Sequence, residues 1–72
     1  MSLSVHLFIK ADTLFVRLTG ELDHHTSMHL RDRINSLMDK FEIKNIIFNF
    51  RNLSFMDSSG IGVILGRYHQ VK

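Results

Sequence analysis

The chain has 72 residues, 44% of them hydrophobic and 22% charged, with a formal net charge of +2 and neither cysteine nor proline. That apolar content excludes a disordered tail, the length allows one domain over residues 1–72, and the missing cysteines exclude disulfides, a zinc ribbon and a thiol redox site. The basic residues are scattered from Lys10 to Lys72, so no nucleic-acid partner is expected, and the lack of a signal peptide or long apolar run predicts no membrane span and a soluble, cytoplasmic protein.

From Leu3 to Ile9 the apolar Leu3, Val5, Leu7 and Ile9 alternate with Ser4, His6 and Phe8, the period of a half-buried strand. Lys10-Ala11-Asp12-Thr13 predicts a turn, after which Leu14, Val16 and Leu18 alternate with Phe15, Arg17 and Thr19. The two strands are close enough in sequence to pair as an antiparallel hairpin. Gly20 is expected to end the second of them.

Leu30, Ile34, Leu37, Met38 and Phe41 then recur at helical spacing, which predicts an amphipathic helix from His24 to Lys40. Asp23 or Thr26 can accept a hydrogen bond from the free amides of its first turn. Asn45 to Phe50 carries Ile46, Ile47, Phe48 and Phe50, a nearly continuous apolar run of the kind found in strands covered on both faces. Strand, helix and strand in that order imply a parallel pair joined by a right-handed crossover.

Arg51 to Asp57 is expected to be a loop carrying Leu53, Phe55 and Met56, with Asp57 capping a second helix from Ser58 to Val71. The predicted fold is α/β: a β-hairpin and a parallel strand in one mixed sheet with helices packed on it, in the order β1-β2-α1-β3-α2. No glycine stop signal closes the last helix before Lys72, so the chain looks cut rather than finished.

Asp57-Ser58-Ser59-Gly60-Ile61-Gly62 sets an acid, two hydroxyls and two glycines at a loop-to-helix join. Free amides and aligned peptide dipoles make such a join tolerant of a phosphate on Ser58. Gly60 and Gly62 would leave the first turn bare enough for another protein to approach the backbone. Ser and Asp before an apolar helical run also serve as ordinary caps, but capping leaves two glycines in one turn unexplained, each costing about 1 kcal/mol against alanine. Gly66 adds a third glycine, best read as close packing of helix on sheet.

Other chemistries find no support. Leu65 stands where a dinucleotide fingerprint needs its third glycine, no Gly-x-Ser-x-Gly elbow surrounds Ser58 or Ser59, and no Gly-Lys-Ser/Thr loop occurs. His25 and His29 lie four apart on the first helix but lack an evident third ligand, and His6, His24 and His69 read as solvated side chains. No metal, cofactor, or catalytic acid or base is assigned, and the chain is not expected to be an enzyme.

Two stretches, Arg17-Leu18-Thr19-Gly20-Glu21-Leu22-Asp23-His24-His25-Thr26 and Leu53 to Tyr68 with Asp57-Ser58-Ser59-Gly60 inside it, resemble the sporulation anti-anti-sigma factors of Bacillus-type bacteria, members of the STAS family. The resemblance runs the length of the chain. It implies an unphosphorylated form that binds an anti-sigma factor, itself a serine kinase, and so releases a sigma factor. It further implies inactivation by phosphorylation of Ser58, reversed by a serine phosphatase, and a docking surface drawn from Asp23, Asp57, Ser59, Gly60, Ile61 and Gly62. Alternative readings are a STAS module of a stress-response partner-switching pathway and, in another class, a small nucleotide-binding or phosphotransfer protein. The family carries further strands and helices beyond the part represented here, and residues 1–72 alone are expected to be marginal or unfolded.

Overall fold

The computed structural model describes residues 2–62. Within them, β1 (Leu3–Lys10), β2 (Thr13–Leu22), α1 (His24–Lys40) and β3 (Asn45–Met56) follow one another, and helical turns that open α2 occupy 58–62. Ile64, Leu65, Gly66 and Tyr68, on which the reading of the rest of α2 rests, lie outside the described residues.

The alternation in β1 does what its period requires: Leu3, Val5, Leu7 and Ile9 turn inward and the residues between them are exposed. A two-residue turn at Ala11 and Asp12 leaves Lys10 opposite Thr13 and sets the antiparallel register through to Leu3 opposite Gly20. The Asp12 carbonyl accepts hydrogen bonds from the amides of Lys44 and Asn45, which fixes the entry of β3 beside this turn.

The sheet order is β1-β2-β3, with β1 antiparallel and β3 parallel to the central β2. Being central, β2 supplies most of the core: Leu14, Val16, Leu18 and Leu22 are fully buried against Leu30 and Ile34 of α1. Each such leucine or isoleucine contributes roughly 1.5–3 kcal/mol by leaving water. Leu37 and Met38 of α1, and Ile46, Phe48, Leu53 and Met56 of β3, close the rim of this cluster.

Three expectations are corrected. Gly20 does not end β2, which continues to Leu22; it sits within the strand at φ +109°, a region open to glycine. A Cβ there would stand 2.6 Å from the Ser2 carbonyl oxygen, so the strand passes this point because the residue has no side chain. Arg51 to Met56 is not a loop but the second half of β3, paired as Thr19 with Asn52, Gly20 with Leu53, Glu21 with Phe55 and Leu22 with Met56. Two register irregularities, between Arg17 and Thr19 and between Gly20 and Glu21, absorb the mismatch between the strands. Nor is β3 covered on both faces among the described residues, since Ile47 is 50% exposed while its neighbours Ile46 and Phe48 turn toward α1's side.

Candidate functional site

Parallel pairing brings the carboxyl ends of β2 and β3 together, and the loops that follow parallel strands therefore lie side by side. Because Leu22 pairs with Met56, the next residue of each strand, Asp23 and Asp57, heads a helix on the same edge of the sheet. The Asp57 amide donates to the Leu22 carbonyl at 3.2 Å, joining the two turns directly.

Asp23 is the cap of α1. Its carboxylate accepts from the Thr26 amide at 2.8 Å, and the Asp23 amide donates to the Thr26 hydroxyl at 2.9 Å, a reciprocal capping box. The Thr26 hydroxyl also lies 2.8 Å from the Glu21 carbonyl and 3.0 Å from the Asp23 carboxylate, and donates its one proton to either. The bond from the Thr26 amide is the main reason that the Asp23 carboxyl is held below its ordinary pKa, with desolvation opposing it and the Thr26 hydroxyl, the His25 amide and the His25 charge adding smaller contributions.

Asp57 caps the first turn of α2 in the predicted way. Its carboxylate accepts from the Ser59 amide at 2.9 Å and the Gly60 amide at 3.2 Å, while its carbonyl accepts from the Ile61 amide. Ser58 is thereby the first residue of the turn, and it is exposed. Ser59 is half-buried, and its Oγ lies 3.1 Å from Nδ1 of His24, the first residue of α1. His24 is the residue that the sequence reading set aside: 35 positions separate it from Ser59, and only the pairing of β2 with β3 shows that they meet.

The glycines divide. Gly60 is buried, and a Cβ on it would stand 2.8 Å from the Leu22 side chain and 2.9 Å from that of Met56. Its bareness is demanded from inside the domain, whereas a Cβ on Gly62 would meet nothing within 4 Å among the described residues. Gly62 and the half-exposed Ile61 lie at the surface on the helical turns that Ser58 opens, and Phe55, near the end of β3, is 45% exposed. The structure thus brings Asp23, Asp57, Ser58 and Ser59 to one edge, with Ile61 and Gly62 outward and Gly60 beneath them.

His25 and His29 stand edge to face with ring centroids 5.2 Å apart. Among the described residues no three His, Cys, Asp or Glu side chains are grouped to hold a metal ion, and no helix is long and apolar enough to cross a membrane.

A mixed sheet with two adjacent capped turns at the carboxyl ends of its parallel strands is the arrangement of the STAS domain, whose family pattern matches residues 5–72; the chain belongs to that family. An anti-sigma F factor antagonist of Paenibacillus polymyxa is 46% identical over 68 residues, covering 94% of this chain and 58% of that protein. The structure of the anti-sigma factor antagonist SpoIIAA in its unphosphorylated form superposes with a TM-score of 0.81 at 40% identity, over 94% of this chain and 63% of that one. The phosphorylated form of SpoIIAA, a Bacillus cell fate determinant, gives a TM-score of 0.79 at 40% identity, over 94% and 62%. The chain spans less than two thirds of the length of each of these relatives.

Proposed function

We propose that this chain is the partner-binding and phosphate-accepting part of an anti-sigma F factor antagonist. It acts as a ligand and substrate of an anti-sigma factor with serine kinase activity rather than as an enzyme, in the cytoplasm, and a serine phosphatase resets it. The observation that carries the reading is the exposed Ser58 at the first position of α2, beside the Asp23 turn, in a chain 46% identical to an anti-sigma F factor antagonist.

The physics is consistent with a switch that leaves the fold alone. A phosphate on Ser58 adds about −1.5 to −2 charge at a helix start, where free amides and the peptide dipoles favour an anion. The described fold superposes on the unphosphorylated and phosphorylated forms of SpoIIAA to nearly the same degree, which supports blockage by local bulk and charge rather than by refolding. The phosphate would also stand beside the carboxylates of Asp23 and Asp57 on the same edge, concentrating negative charge there.

Two variants test this in the full-length protein. Ser58→Ala should keep anti-sigma binding and lose phosphate acceptance, and Ser58→Asp should bind about tenfold or more weakly with an unchanged circular dichroism spectrum. Binding of both variants at the parent affinity, or phosphate mapped to a residue other than Ser58, overturns the reading.

A further inference from the structure

Two serines stand next to each other in the first turn of α2, and a kinase offered Ser58 is offered Ser59 almost as closely. Their surroundings differ. Ser58 is exposed, while Ser59 is half-buried and its Oγ meets Nδ1 of His24 at 3.1 Å. The Ser59 amide is also occupied, donating to the Asp57 carboxylate at 2.9 Å.

We infer that His24 is a specificity-determining residue: by engaging the Ser59 hydroxyl from the start of the neighbouring helix, it leaves Ser58 as the hydroxyl that receives phosphate. The inference rests on the reading of Ser58 as the acceptor and adds to it the reason that the adjacent serine is spared.

Phosphoryl transfer needs the serine oxygen in line with the phosphorus that it attacks and its proton within reach of the kinase's base. The ring restrains the first need by holding the Ser59 oxygen in one rotamer, and restrains the second whenever the hydroxyl donates to it. With Nδ1 bare, the hydroxyl donates its proton to the ring; with Nδ1 protonated, the oxygen accepts. In both tautomers the bond turns Oγ toward His24 at the start of α1. A neutral hydrogen bond of this kind favours the engaged rotamer about two- to tenfold, so His24 biases the choice between the serines rather than making it absolute.

The decisive measurement is the ratio of phosphate on Ser59 to phosphate on Ser58 after incubation of the full-length protein with its anti-sigma kinase and ATP. Both sites are read in one molecule, so a change in kinase affinity cancels. His24→Ala should raise the ratio about two- to tenfold, and His24→Asn, whose amide can reach the Nδ1 position, should restore the parent ratio. An unchanged ratio in His24→Ala, with Ser58 still phosphorylated, overturns the inference and leaves the proposed function intact. A parent protein that takes no phosphate on Ser58 overturns the proposed function instead. A second readout needs no kinase: the side-chain couplings of Ser59 by NMR should report one dominant rotamer in the parent and in His24→Asn, and averaged rotamers in His24→Ala. Averaged couplings in the parent also overturn the inference.

Discussion

The two helix starts use the same residue type to opposite ends. At α1, Asp23 and Thr26 close on each other, each side chain satisfying the other's amide. At α2 the corresponding third residue is Gly60, which has no side chain to reach back, and the Asp57 amide crosses instead to the carbonyl of Leu22. A closed cap spends its polar groups on itself. The open one is fastened to the neighbouring strand and leaves Ser58 facing water. One turn therefore serves mainly to start a helix, and the other to present a side chain.

The largest effect should come from Leu22, the residue that supports both starts. Leu22→Ala should cost about 2–5 kcal/mol in denaturant unfolding, because its side chain is fully buried between α1 and the Gly60 turn. Next, Gly60→Ala should cost about 1–3 kcal/mol, since the new methyl group meets the fully buried Leu22 and the half-buried Met56 at under 3 Å and forces them to shift. Gly62→Ala should be neutral or stabilising by up to about 1 kcal/mol, which separates the inner glycine from the outer one. Combining Leu22→Ala with Gly60→Ala should give less than the sum of the two costs, because the cavity accepts the methyl.

Thr26→Val probes the closed cap and should cost roughly 1–2 kcal/mol. It leaves the Asp23 amide and the Glu21 carbonyl without their hydroxyl partner at a buried position. The smallest effect is that of acid on Asp23. Its carboxyl is lowered in the folded state, so its contribution is fully present above its ordinary value of 3.8 and is lost as pH falls through the lowered value. The thermal midpoint of the parent should therefore fall more steeply below pH 3.8 than that of Asp23→Asn, which has no carboxyl to titrate.

Much of this architecture is legible in the residues alone. Alternation marks β1 and the first part of β2, and helical spacing with an acidic cap marks α1 at its observed bounds. The failures share a cause. Gly20 reads as a stop because glycine usually interrupts strands, yet here it lets β2 pass close to Ser2. Arg51 and Asn52 break the apolar run of β3 and look like a loop, while pairing with the far half of β2 keeps the segment extended. Asp57 and Ser58 could be placed by motif, but the contact between His24 and Ser59 depends on register across 35 positions, which local pattern does not encode.

The bond from the Asp57 amide to the Leu22 carbonyl has a consequence for association. It anchors the outward turn to the strand with the most deeply packed side chains, so both acidic corners are held at a set spacing before any partner arrives. Under the proposed function, a partner meeting this edge would have less of the turn to order on binding, and the entropy saved would strengthen the complex. Removing that anchor would be felt as faster dissociation, even if every contacting side chain were kept.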